Sequence, residues 1–413
     1  MADLRATVSA IRQRPHHRPD YFLGLLVLSL IGIGMIVIYS TGSIVNFNIT
    51  GGASDRNTFF FNQVVSLGLG LVGWVIASRI PYAHWRKWAL PMLIVSLILM
   101  MLVFVPGLSL NVNGASRWIR LGSFSFQPAE FLKLSLVLYL AVWLESRRSE
   151  LRSIKEGLIP FLLILAVTLV LVVVLQRDLG TGVVIISLAL AILLVSDAPV
   201  WLFGAGLGAM IAAGAMTIIL FPYRMARLAT FFNHKDDVTG ADYHINQALI
   251  ALGSGGVIGR GLGNSLQSYG YLPEATNDSV FAIIGEQFGL WGTTLVVAIF
   301  GLIGWRGLRI ARFAPDRFGR MVATGITVWL VVQAMINITA MLNLIPLTGI
   351  PLPFISYGGT SLLATMVAIG ILQNISRYTE REQAYADSRI GRRDRRSRHT
   401  GFGPVRGTHK AVR

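Results

Sequence analysis

Long apolar runs separated by short polar ones dominate this chain. Runs near 20 residues recur at 21–41, 60–79, 88–106, 127–146, 158–176, 180–196, 199–221, 279–305, 319–341 and 357–376. Each is long enough to cross roughly 30 Å of hydrocarbon as a helix. A closed barrel would show alternating segments of about ten residues instead, and none stands out. The pattern predicts an all-α, polytopic membrane protein with about ten transmembrane helices. The first run, YFLGLLVLSLIGIGMIVIYS, is longer than a signal-peptide core and has no small-x-small site after it. It reads as an uncleaved first span.

The polar breaks orient the spans. Arg5, Arg12, Arg14 and Arg18 precede the first run. Arg79, Arg86 and Lys87 follow the second, and Arg147, Arg148, Arg152 and Lys155 follow the fourth. WRGLRIARFAPDRFGR, after the eighth, holds five arginines. With ten spans all of these fall on one side, and the Lys/Arg bias makes that side cytoplasmic. Both termini are then expected in the cytoplasm. The expected organisation is a cytoplasmic tail 1–20, a ten-span domain 21–376 and a basic, disordered tail 377–413. The segment 222–278, 57 residues, becomes one large extracytoplasmic loop, far longer than an ordinary connection. It contains an apolar piece, YHINQALIAL, and a glycine-rich run, GSGGVIGRGLGNS, and reads as a re-entrant or surface-lying structure.

Composition narrows the picture. The chain of 413 residues is 54% hydrophobic and 14% charged, where a soluble domain carries about 25% charged residues; its mean hydropathy is +0.62. The net charge of +16 raises the question of nucleic acid. Its clustering in loops and tails on one side answers to the membrane instead. No nucleic-acid partner is expected, and anionic membrane lipids are expected near the basic tail. With no cysteine there is no disulfide or thiolate chemistry. The glycine-rich run does not end in Lys-Ser/Thr, so it is not a nucleotide phosphate loop.

Ionisable groups inside spans are functional candidates by default. In QPAEFLKLSLVLYLAVWL, Glu130 and Lys133 share a helical face. Lys133 has two candidate partners, Glu130 and, across helices, Asp178 of LQRDLGTG. A structural ion pair and a substrate contact stand equal there. YLPEATNDSV supplies Glu274 and Asp278, and Glu286 lies eight residues beyond Asp278, ~12 Å along a helix. Asp278 is a solvated charge, an N-cap or a catalyst by position alone. TGIPLPFISYGGTS, with Ser356 in it, predicts non-helical backbone packed at membrane depth around a cavity.

Together NGASRWIRLGSFSFQPAEFLKL, QRDLGTG, ALIALGSGGVIGRGLGNSLQSYGYLPEATNDSVFAIIGEQFG and NLIPLTGIPLPFISYGGTSLL resemble the SEDS family of bacterial envelope proteins (shape, elongation, division and sporulation). The likeness covers roughly residues 20–377, with the segments in family order. It implies a peptidoglycan glycosyltransferase. The substrate is lipid II, the undecaprenyl-pyrophosphate-linked disaccharide-pentapeptide, at the outer face of the cytoplasmic membrane. The family's essential aspartate falls on Asp278. The family pattern there is His-Thr-Asp-Phe, and this chain has Thr276-Asn277-Asp278-Ser279. The Asp178 motif likewise has Arg177 in place of a proline. The loop GLGNSLQSYGYLPEA and the long basic tail are more similar to the division-type branch than to the elongation-type branch.

The implied reaction is attack of one sugar's 4-hydroxyl on the anomeric carbon of another, with a lipid pyrophosphate leaving. It needs a base, for which Asp278 is the choice, and cations near the pyrophosphate. Lys133, Arg117, Arg120, Arg224 and Arg260 are the candidates, unranked. A divalent cation, Mg or Mn, bridging carboxylate and pyrophosphate fits the same chemistry, and no organic cofactor is expected. The resemblance also implies a class B penicillin-binding protein transpeptidase as partner within the divisome or elongasome. Lipid II transport and non-catalytic scaffolding are the competing functions.

Overall fold

The computed structural model describes residues 18–50, 58–112, 115–121, 124–147, 150–220 and 241–379, with the single positions 225 and 231. The N-terminal tail to residue 17, Arg224 in the long loop, and the C-terminal tail from residue 380 lie outside the described residues. Ten helices stand where the apolar runs are: α1 (Tyr21–Thr50), α2 (Thr58–Arg79), α3 (Trp85–Leu102), α4 (Pro128–Ser146), α5 (Ile159–Leu169), α6 (Leu179–Val195), α7 (Val200–Leu220), α9 (Val280–Arg312), α10 (Arg317–Met341) and α11 (Gly359–Ser376). The eleventh, α8 (Ala241–Gly255), lies in the long loop. Turns of π-helix, Ile154–Leu158 and Val170–Leu175, extend α5 at both ends. Among the described residues, seven helices are long and apolar enough to cross a membrane. The segments Leu179–Val195 and Val200–Met216 are shorter apolar helices. The chain is a multi-pass helical membrane protein.

The helices sort by enclosure. In the most apolar window, 72% of α10 and 83% of α11 is buried, against 22% for α2 and α3. The polar residues of α10 and α11 therefore face protein. On α2, Leu69, Val72 and Ile76 are exposed along one stripe, as are Leu90, Ile94 and Ile98 on α3. Such apolar stripes belong against lipid.

One end of the bundle is tied by charge. Asp20 pairs with Arg306, and Arg86 donates to both Glu145 and Asp316 at 2.9 Å. Arg79, Arg309, Arg312 and Arg320 also lie at this basic end. At the opposite end a short antiparallel sheet, β1 (Ser109–Val112), β2 (Ala115–Leu121) and β3 (Phe124–Phe126), departs from the purely helical expectation. Ile119 of β2 stands opposite both Ser109 and Phe126. Leu110 pairs with Trp118 and Asn111 with Ser116, so Arg117 is the extra residue of a bulge in β2.

The glycine-rich run is explained by a break in α9. Gly289 has φ 66° and ψ −157°, so the helix is interrupted. Backbone from the long loop fills the gap: Arg260 N donates to Glu286 O (2.9 Å), Gly261 N to Gln287 O (3.0 Å) and Leu290 N to Gly256 O (2.9 Å). A Cβ at Gly289 would lie 2.5 Å from Gly259 N. Non-helical backbone at this depth is tolerated because each polar group is paired within protein.

Candidate functional site

Asp278 sits at the end opposite the basic one, in the turn that leads into α9. Ser279, not Asp278, is the N-cap residue, and no side chain caps the helix. The turn folds on itself through Glu274, whose carbonyl accepts Asn277 N (3.0 Å) and Ser279 N (3.1 Å). Glu274 adopts φ +50° to do so. The proline-rich break before α11 then clamps it. Ser356 Oγ donates to Asn277 O (2.6 Å), and Tyr357 N donates to Thr276 O (2.9 Å). From α10, Asn337 Nδ2 donates to Asp278 O (2.7 Å) and to Ile350 O (2.8 Å), joining the turn to the break.

The Asp278 carboxylate is treated differently from its backbone. The residue is half-buried, and no hydrogen bond from the described residues reaches the carboxylate. Gly349, at φ +68°, leaves it room, since a Cβ there would stand 3.3 Å from Oδ2. Its pKa is pushed up from 3.8 to about 7, first by burial, then by the negative charges of Glu274 and Asp178, against the opposing pull of Arg117. A carboxyl group poised near neutrality, with free lone pairs, can take a proton from a hydroxyl.

Arg117 and Asp178 frame the same region. Asp178 caps α6, taking Thr181 N on Oδ1 and Thr181 Oγ1 on Oδ2, both at 3.0 Å. Arg117 reaches over from β2. Its Nε donates to Gln176 O (3.0 Å), its Nη2 to Arg177 O (2.7 Å), and its Nη1 stands 3.9 Å from Asp178 Oδ2. Arg177 takes φ 56° at this corner, just after the π turn that ends α5. The Arg117 side chain keeps 25% exposure and is the cation that lowers the Asp278 pKa. Arg120 is exposed on the same strand.

The remaining candidates resolve into structure. Lys133 Nζ binds Glu130 Oε1 (2.7 Å) and Gln333 Oε1 (2.6 Å), sealed at 0% exposure, and lies 5.1 Å from the Trp329 ring centroid. Its partner is Glu130 and not Asp178. In this structure neither member of the pair can touch a substrate. Glu286 is fully buried. It accepts Leu266 N (2.9 Å) and Gln267 N (3.4 Å), and Ser265 Oγ donates to it as well. It therefore anchors the loop that follows the glycine-rich run. Arg260 lies 4.0 Å from Glu286 and donates to Ser254 O. Glu274 is exposed, and its carboxylate accepts Asn277 Nδ2 (2.6 Å).

Two of the positions that depart from the family pattern, Asn277 and Ser279, make side-chain contacts. Asn277 holds the Glu274 side chain. Ser279 Oγ donates to Pro273 O (2.8 Å), so it is the acceptor for His244 Nε2 of α8 at 2.6 Å. Sequence reasoning missed Trp329, Gln333 and Asn337, four residues apart on one face of α10. Trp329 Nε1 donates to Gln333 Oε1 (2.8 Å), and Gln333 Nε2 to Pro351 O (3.0 Å). Their spacing in WLVVQAMIN is the signal that the sequence carries for them.

Comparisons with known proteins agree with the fold. The profile of the FtsW/RodA/SpoVE family, described as cell cycle protein, matches residues 21–381. The stage V sporulation protein E of Bacillus subtilis is 37% identical over 87% of this chain and 98% of its own length. A probable peptidoglycan glycosyltransferase FtsW of Trichlorobacter lovleyi is 37% identical over 89% of this chain and 96% of its own. Among solved structures, a chain of a peptidoglycan synthase complex that coordinates polymerization and crosslinking superposes with a TM-score of 0.70. It is 25% identical, over 87% of this chain and 98% of that one. This chain belongs to the FtsW/RodA/SpoVE family.

Proposed function

We propose that this chain is a peptidoglycan glycosyltransferase that polymerises lipid II at the outer face of the cytoplasmic membrane. It crosses the membrane ten times, with both termini in the cytoplasm and the Asp278 end outside. The observation that carries the reading is the Asp278 carboxylate: held through its backbone, free of hydrogen bonds from the described residues, and with a pKa of about 7.

In this reading Asp278 accepts the proton of the 4-hydroxyl on one lipid-linked sugar. The oxygen forms a bond to the anomeric carbon of the second. The bond from that carbon to pyrophosphate breaks, and the lipid pyrophosphate leaves with its electron pair. Arg117 is the cation beside this path, because it stays part-exposed and acts on Asp278 while its backbone contacts fix its direction. Lys133 orders the site from behind rather than meeting the leaving group. The prenyl chains stay in hydrocarbon while the sugars react at the surface.

Among the described residues no group of three or more His, Asp or Glu stands ready to hold a metal. The site fits a divalent cation only as a shared ion. Asp278 would give one carboxylate and the pyrophosphate the rest, the usual manner for Mg²⁺. Such an ion would neutralise charge on the leaving group.

Septal synthesis is the setting favoured by the relatives named FtsW. The peptidoglycan synthase complex among the structural neighbours supports a crosslinking partner, for which we assign a class B penicillin-binding protein. The test is purified full-length protein mixed with lipid II. Glycan strands of increasing length are expected. Translocation of labelled lipid II in vesicles without any strands would make the chain a transporter instead.

A further inference from the structure

A cavity of about 500 Å³ opens at the basic end, at the opposite end of α9 from Asp278. It lies where α1 begins and α9 and α11 finish, and its walls include Arg18, Asp20, Tyr21, Phe22, Arg306 and Arg309. The acid is already engaged. Asp20 Oδ1 accepts Leu23 N (3.0 Å) and Arg306 Nη2 (3.2 Å), and Oδ2 lies 3.1 Å from Arg306 Nε. The backbone of Asp20 is pinned too, its N donating to Ser376 Oγ and its O accepting from Gln373 Nε2. Asp20 and Arg306 therefore cancel, and the cavity is left with two exposed guanidiniums, Arg18 and Arg309. Neither has an acidic partner among the described residues. The start of α1 adds the positive end of a helix dipole.

Its surroundings specify which anion belongs there. Tyr21 is 67% exposed, Phe22 42% and Trp305 56%; the first two open α1 and Trp305 lies in the last third of α9. Aromatic rings so placed mark the headgroup level of a bilayer. Arg306 stacks over Phe22 and Trp305, and Arg309 over Trp305. Below them the exposed side chains of Leu25 and Leu28 on α1 and Leu302 on α9 continue as an apolar surface into the hydrocarbon. A phosphate at the guanidiniums and an acyl chain along these leucines belong to one molecule.

We infer that this cavity binds the head group of an anionic phospholipid, with Arg18 and Arg309 gripping the phosphate and Tyr21 and Phe22 flanking the glycerol. The site rests on this chain's own geometry and not on the polymerase reading. The orientation proposed above puts it in the cytoplasmic leaflet, where anionic lipids concentrate. Binding there ties α1, α9 and α11 together at the end opposite the reaction.

The experiment is thermal unfolding of the full-length protein in detergent, titrated with phosphatidylglycerol, phosphatidylcholine or inorganic phosphate. Phosphatidylglycerol is expected to raise the melting temperature, and the other two to leave it unchanged. The pair Arg18→Gln/Arg309→Gln should need about tenfold more phosphatidylglycerol, or more, for the same shift. The control pair Arg79→Gln/Lys87→Gln, at the same end but outside the cavity, should titrate like wild type. Equal loss in the control pair would reduce the effect to diffuse charge and overturn the site. An unchanged response in Arg18→Gln/Arg309→Gln would overturn it as well. A shift with inorganic phosphate that this variant abolishes would assign the cavity to a soluble anion and refute the lipid.

Discussion

Replacing Lys133 by Met removes one charge from an ion pair sealed inside the bundle. The side chains of Lys133 and Glu130 are 0% and 1% exposed, and the nitrogen lies 2.7 Å from Glu130 Oε1. Glu130 has no second partner to fall back on, because its Oε2 is buried without a hydrogen bond. Breaking a buried pair from one side costs about 3–5 kcal/mol, since the surviving charge stays desolvated. At roughly 2–4 °C per kcal/mol that is an apparent melting shift on the order of 10 °C. The double variant Glu130→Gln/Lys133→Met removes both charges, and replacing a whole buried pair is often neutral. Gln333 Oε1 keeps the Trp329 Nε1 donor in that variant. It should therefore melt within about 1 kcal/mol of wild type, above either single variant. The assay is tryptophan-fluorescence unfolding of wild type, both single variants and the double, in one detergent at one scan rate. A double variant no more stable than Lys133→Met would refute the reasoning and return Lys133 to a role other than balancing Glu130.

Other outcomes follow from the same contacts. In the proposed mechanism Asp278 works as a base only when ionised, so kcat/KM should rise with pH through a midpoint near 7. Glu274→Gln removes a charge that raises this pKa and should move the midpoint to lower pH, while Arg117→Gln should move it higher; midpoints unmoved in both would detach the limb from Asp278. Asn337→Ala leaves the Asp278 and Ile350 carbonyls without their shared donor, and should lower kcat about 10–100-fold with little change in KM. Full turnover in steady-state polymerisation would show that the turn holds without it. Gly289→Ala must place a side chain at φ 66°, 2.5 Å from Gly259 N. It should cost about 3 kcal/mol or more, and a wild-type melting curve would mean that the break in α9 is not built as described.

The spans were legible because hydrocarbon imposes a length and a polarity on each. The apolar runs from 21–41 to 357–376 and the helices α1–α7 and α9–α11 occupy the same stretches of chain. Asp278 was legible as an acid at a helix mouth, and the resemblance selected it from among three readings. The pairings were not legible. Lys133 and Gln333 are 200 residues apart, and nothing local distinguishes Gln333 from a lipid-facing error in an apolar run. The glycine-rich run also had no local meaning. Its glycines serve a partner backbone near residues 286–290, and only the fold brings the two together. Strands β1 and β3 were hidden by length, having four and three residues. Neutral polar residues, Asn337 above all, carry no distinguishing mark in an apolar run, although a buried amide can fix two carbonyls at once.

Asp278→Asn keeps the size and the backbone contacts of the residue and removes only its ability to take a proton. Purified wild type and Asp278→Asn, matched for melting behaviour and given the same lipid II, should differ in glycan strands by at least about 100-fold. Strands made by Asp278→Asn at the wild-type rate would contradict the account at its centre.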